Sequence, residues 1–140
     1  HVERQKNARL TLILRFQRNR DNSPAKSTEF PFLHPQSLEE VAGILRLKGT
    51  TFIYKHSSRC SVSLFAMKRL FAVDPREYER WVYIDVVAQR SLSLAVAEEL
   101  NVCHESPQLI MLVDGKVMAQ GSHHRVSETT VEEWRKELKN

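Results

Sequence analysis

The sequence predicts an α/β fold in three layers: a central mixed sheet with helices on both faces, closed by a C-terminal β-hairpin and helix. Three observations carry that prediction. Strand-like runs alternate with segments whose apolar residues recur at helical spacing, in the order α, β, α, β, α, β, β, α. Trp81-Val82-Tyr83-Ile84-Asp85-Val86 is nearly continuous in β-branched and aromatic residues, as in an interior parallel strand covered on both faces. Asp114-Gly115 separates two further strand-like runs, and that pair suits a two-residue hairpin turn.

Taken in order, Leu10, Leu12, Leu14 and Phe16 alternate like one face of an edge strand, although a basic amphipathic helix fits so short a run as well. Asn22, Ser23, Pro24, Pro31 and Pro35 mark Arg18 to Pro35 as a loop or linker, so residues 1–31 read as a basic extension and 32–140 as the domain. Ser37 caps a helix with Glu39 and Glu40 in its first turn and Leu38, Val41, Ile44 and Leu45 as its buried stripe, and Gly49 ends it. A strand over 51–55 and a helix over 60–72 follow, the helix carrying Val62, Leu64, Phe65, Ala66, Met67, Leu70 and Phe71 and stopping before Asp74-Pro75. After the strand at 81–86, Ser91 or Ser93 caps a helix that buries Leu94, Val96, Ala97 and Leu100. The hairpin pairs 108–113 with 116–119, and a last helix starts between Ser127 and Thr130 and runs through Val131, Trp134 and Leu138.

With 41% hydrophobic and 27% charged residues in 140, the chain has the composition of one globular domain and not of a disordered or fibrous protein. No apolar run approaches the roughly 18 residues a membrane-spanning helix needs. The net charge of +4 resides in residues 1–30, where seven Lys or Arg face three acids; the remaining residues hold 14 of each sign. A globally basic nucleic-acid-binding domain is therefore disfavoured, leaving only a basic arm. Cys60 and Cys103 are too few for a disulfide scaffold, and a lone cysteine at a helix start suits a reducing compartment, which for a soluble chain means the cytoplasm.

Cys60 is the residue around which a function can be built. It falls where the turn His56-Ser57-Ser58-Arg59 becomes a helix, and there unpaired N–H groups and the positive end of the helix dipole favour a thiolate. Lys55, His56 and Arg59 add positive or potentially positive neighbours. The alternative is a buried cysteine serving as a small apolar group. Three positions on, where a dithiol enzyme carries its second thiol, stands Ser63, so the unit is CxxS. It can accept a thiol adduct but cannot release it within its own turn. Ser63 suits a hydrogen bond to the thiolate or, equally, one to the backbone.

The order of elements, the cysteine at the helix start and Pro107 just before the hairpin resemble the thioredoxin fold. That resemblance implies a cis Ser106-Pro107 bond, with the backbone of Ser106 turned toward Cys60 so that a thiol-bearing ligand pairs with it. Lys55-His56-Ser57, Cys60 with Ser63, Arg90-Ser91-Leu92-Ser93, His104-Glu105-Ser106-Pro107-Gln108 and Ser122-His123 are similar to the YtxJ family of monothiol bacilliredoxins over about residues 37–134. The resemblance implies an oxidoreductase without a tightly held cofactor, whose single cysteine exchanges disulfides with client proteins modified by a bacillithiol-type thiol. Where the family has Thr-Cys-Pro-Ile-Ser this chain has Arg59-Cys60-Ser61-Val62-Ser63, a departure that bears on redox potential and thiol preference.

Cys103 is a candidate resolving thiol through a Cys60–Cys103 disulfide, against a structural cysteine as the favoured reading. Arg90 suits either a ligand carboxylate at the site's rim or solvent. His104-Glu105 reads as a loop pair that holds the proline turn or touches the ligand. His56, His104, His123 and His124 lack metal-ligand spacing, so no metal is expected. A rival to the exchange reading is a binding module of the same fold with an inert cysteine, docking through the proline loop.

Overall fold

Strand β2 (Thr50–His56) takes the middle of the sheet because every one of its residues is buried, so both faces need a cover. The computed structural model describes residues 29–139, and the Leu10–Phe16 run lies outside them. Besides β2 the sheet contains β1 (Phe32–Leu33), β3 (Glu79–Asp85), β4 (Gln108–Val113) and β5 (Lys116–Ser122), in the order β1-β3-β2-β4-β5. β1, β3 and β2 are parallel, and β4 and β5 run antiparallel. The register sets His56 beside Asp85 and Lys55 beside Gln108.

Alternation along β2 sorts the core. Phe52 and Tyr54 enter one cluster with Ala66 and Leu70 of α2 (Ser61–Leu70) and Val131 and Trp134 of α4 (Glu128–Lys139). Ile53 enters the other, with Val41 and Ile44 of α1 (Leu38–Leu45) and Leu92 and Val96 of α3 (Arg90–Leu100). Two helices therefore cover each face. The structure has the three-layer thioredoxin-like arrangement that the sequence predicts.

Several elements differ from expectation for identifiable reasons. Phe32–Leu33 is a strand and not loop: Phe32 pairs with Trp81, and Phe30 stacks near Phe32, Phe71 and Trp81, so aromatic burial overrides the surrounding prolines. α1 ends at Leu45; Gly49, at φ +99°, instead turns the chain into β2, where its N–H donates to Asp114 Oδ1 at 2.7 Å. α3 starts at Arg90 without a serine cap, because the Asp85 carboxylate already closes the turn by accepting the N–H groups of Val87 and Ala88. Its phase buries Leu92, Ser93, Val96 and Ala97 and leaves Leu94 exposed. α2 buries only Ser63, Ala66 and Leu70, spaced three and four apart, and leaves Val62, Leu64, Phe65 and Phe71 exposed. β5 continues to Ser122, past the predicted end, with an irregularity in register at Met111/Leu112.

Candidate active site around Cys60

Cys60 is the N-cap residue of α2, with extended backbone (φ −117°, ψ 123°), and it is half-buried. Its side chain makes no capping hydrogen bond, but it stands at the head of the helix, where the backbone N–H groups of Ser63 and Val62 act on the thiol. These N–H groups hold the thiol pKa below its ordinary value; burial opposes them, and the Ser63 hydroxyl adds the least of the lowering effects. A sulfur in that setting is both a better-populated nucleophile and a better leaving group.

The cationic neighbours do not account for this. Lys55 lies on the opposite face of β2, reaching α3. His56 is buried and its pKa is lowered by desolvation, with Asp85 opposing, so its imidazole is neutral at pH 7. Arg59 is exposed in the turn and is not among the groups that shift the thiol. The local peptide dipoles supply the effect, because they are fixed while side-chain charges beside solvent are screened.

Ser63 makes the backbone hydrogen bond of its second reading. Fully buried, its hydroxyl oxygen accepts the Ser57 N–H at 3.2 Å, closing the turn, and the hydroxyl is near enough to Cys60 to help lower the thiol pKa. Beneath it lies Tyr54, whose O–H donates to the Ser63 carbonyl at 3.1 Å and meets His56 Nδ1 at 2.8 Å. If the tyrosine proton goes to Ser63, His56 Nδ1 is the donor in the second contact. Sequence reading passed over the Tyr54 hydroxyl. Its signal was parity, since residues 54 and 56 share a strand face two positions apart.

Ser106–Pro107 is cis, and the register that pairs Lys55 with Gln108 puts Pro107 beside the end of β2, from which the cysteine turn departs. The Pro107 carbonyl accepts the His123 N–H at 3.0 Å. Arg69 of α2 donates to the carbonyls of His123 (3.0 Å) and Val126 (3.1 Å), tying the cysteine helix to the turn that follows β5. Glu105 lies 4.0 Å from His123 Nδ1. The proline loop, the turn at 123–125 and α2 are thus joined by hydrogen bonds.

His104 is exposed, with Nδ1 against Lys55 Nζ at 3.1 Å and Ser93 Oγ at 3.3 Å. Arg90 is also exposed, close enough to His104 to help lower its pKa after burial and Lys55. Cys103 is a free, exposed thiol, so the expectation of a structural cysteine is corrected: its side chain fills no core, while its carbonyl accepts Gln108 Nε2 at 2.9 Å. The structure contains no Cys60–Cys103 disulfide. Among the described residues no three His, Cys, Asp or Glu side chains come together as a metal site would require. A groove of about 510 Å³ between α1 and α3, lined by Leu38, Val41, Leu45, Val96 and Leu100, belongs to the other face of the sheet and contains none of these groups.

A cysteine with a lowered pKa at a helix start, a serine in place of the second thiol and a cis-proline beside them define a thioredoxin-fold protein built for thiol–disulfide exchange through one sulfur. Residues 34–131 match the family described as monothiol bacilliredoxin BrxC, and the chain belongs to that family. Its activity is accordingly that of an oxidoreductase with a single reactive cysteine and a low-molecular-weight thiol of the bacillithiol type as co-substrate. Solved structures agree on the fold. One, described as an oxidoreductase with a thioredoxin fold, is 24% identical at a TM-score of 0.66, over 73% of this chain and 91% of that one. Mitochondrial thioredoxin 3 from Saccharomyces cerevisiae is 17% identical at 0.60, over 76% and 94%. Thioredoxin from Trypanosoma brucei brucei is 12% identical at 0.61, over 85% and 99%. Among the described residues no helix is long and apolar enough to cross a membrane.

Proposed function

We propose that Cys60 removes a bacillithiol-type thiol from mixed disulfides with client proteins in the cytoplasm. The Cys60 thiolate attacks the sulfur of the small thiol, the client thiolate leaves, and the small thiol remains on Cys60 as a new disulfide. A second molecule of the small thiol then attacks that bond, releasing the Cys60 thiolate and a small-thiol disulfide. Electrons balance at each step, because one disulfide is exchanged for another. In this reading Ser63 stabilises the thiolate, Ser106 and Pro107 present backbone to the incoming ligand, His56 shapes the turn from below, and Arg59, Arg90 and His104 face the ligand. Cys103 takes no part.

The observation that carries the reading is Cys60 at the N-cap of α2, its thiol pKa lowered by the N–H groups of Ser63 and Val62, with Ser63 where a resolving thiol would be. An inert binding module has no use for a thiol of lowered pKa. The test is mass spectrometry after mixing the protein with bacillithiol disulfide. One adduct is expected on Cys60, retained in Cys103→Ser and lost in Cys60→Ser. An internal bridge between Cys60 and Cys103 would replace the monothiol route with a dithiol one, and no adduct at all would favour the module.

A further inference from the structure

Lys55 lies in the most deeply buried strand of the sheet with no exposed surface at all. Its Nζ donates to the Ser93 carbonyl at 3.2 Å and to His104 Nδ1 at 3.1 Å, and neither partner carries a negative charge. Burial holds its pKa down at about 8, so at neutral pH the ammonium remains protonated at a cost no ion pair offsets. An apolar residue there would extend the cluster that Ile53 and Ile84 already form. A buried lysine that stability alone disfavours calls for a task.

The loop it reaches supplies one. Lysine has donors only, so the His104 nitrogen that meets it is unprotonated and the ring's proton sits on Nε2. His104 is exposed although its Nδ1 is occupied, which leaves Nε2–H as the edge offered to solvent. The cross-strand neighbour of Lys55, Gln108, is also buried and grips the preceding residue through the Cys103 carbonyl. Two adjacent polar side chains of the sheet thus hold two successive residues of the segment leading into Ser106–Pro107.

We propose that Lys55 is a positioning residue for the exchange reaction: it locks His104 as the Nε2–H tautomer, so that His104 and Arg90 together bind a carboxylate of the small thiol seated at the proline loop. A carboxylate is the acceptor that suits a neutral donor beside an exposed guanidinium. Glu105, the acid on this loop, lies instead beside His123, 4.0 Å away. The inference rests on the exchange reading above and adds the group of the small thiol that is recognised.

Lys55→Met tests it, since the variant keeps the length of the side chain and removes every donor. In ¹⁵N spectra at pH 7 the wild-type protein should show His104 protonated on Nε2, and Lys55→Met a mixture of tautomers. With a peptide–bacillithiol mixed disulfide as substrate, KM should rise in Lys55→Met by the factor by which the Nε2–H fraction falls, about twofold for an equal mixture, with kcat little changed. His104→Phe, which leaves the lysine in place and removes the donor altogether, should raise KM further. The pH profile of Cys60 alkylation should not move in either variant, because Lys55 lies across the sheet from the sulfur. An unchanged His104 tautomer or an unchanged KM in Lys55→Met overturns the inference alone. A wild-type protein inert toward the substrate overturns the exchange reading, whatever the tautomer.

Discussion

The ion pair between Glu79 and Arg135 fastens α4 to the start of β3, and its removal should be the costliest single polar change in the domain. Arg135 Nη2 lies 2.6 Å from Glu79 Oε1 and Nε 2.8 Å from Oε2, a bidentate pair whose side chains are 8% and 1% exposed. Glu79 Oε1 also accepts the Arg76 N–H at 3.1 Å, while Arg135 reaches Glu132 at 2.6 Å and the Asp74 carbonyl at 3.0 Å. Deleting one partner of such a pair costs ~3–5 kcal/mol, because the other charge is left buried. Against a domain stability of ~5–15 kcal/mol, that is a fifth or more of the total. At ~4 °C per kcal/mol, Tm should fall by ~12–20 °C. Arg135→Met should be worse than Glu79→Gln: it strands a carboxylate with almost no solvent, whereas Arg135 keeps Glu132 as a second partner. Urea denaturation of both variants and of the double variant Glu79→Leu/Arg135→Met measures this, and the double variant should recover much of the loss. Exchange activity per folded molecule should be unaffected, since Glu79 opens β3 at the end of the sheet away from Cys60. Losses below ~1 kcal/mol in both single variants would refute the reasoning.

Three further outcomes follow from other contacts. Ser63→Ala removes the hydroxyl near Cys60 but leaves the two backbone N–H groups, so the thiol pKa should rise while staying below its ordinary value; the midpoint of alkylation rate against pH should move up, and an unmoved midpoint would mean the hydroxyl is idle. Lys55 loses its proton at about 8 in the folded protein and near 10.4 when unfolded, so between those values the unfolded chain holds more protons and stability rises with pH. The gain from pH 8 to 10 should reach ~2 kcal/mol by urea denaturation and be largely lost in Lys55→Met; above pH 10 the trend reverses, because burial raises the Tyr54 hydroxyl pKa and the unfolded chain ionises first. At Gly115, φ is +79° and an added Cβ would lie 2.5 Å from the Leu45 carbonyl oxygen, so Gly115→Ala should cost ~2 kcal/mol or more in thermal unfolding, and a cost near zero would show that the α1–hairpin contact yields freely.

The periodicities of the chain carried most of the architecture. Apolar positions two apart and three or four apart placed eight of the nine strands and α-helices among the described residues on the right type of element, and the Asp114-Gly115 turn needed only local φ preferences. Cys60 at the head of α2 was legible for the same reason: a helix start is a local event, and the N–H groups that lower the thiol pKa come from its own first turn. What surrounds the sulfur was not. Lys55 reads as a cation five residues from Cys60, yet a strand sends successive side chains to opposite faces, so it reaches Ser93 of α3 and His104 and not the thiol. Phe32–Leu33 looks like loop until Trp81 provides a partner, and Cys103 looks structural until the loop from α3 to β4 leaves it in solvent. Local chemistry within a turn is written in sequence order; which charges meet across a sheet depends on register and pleat, which exist only once the strands have paired.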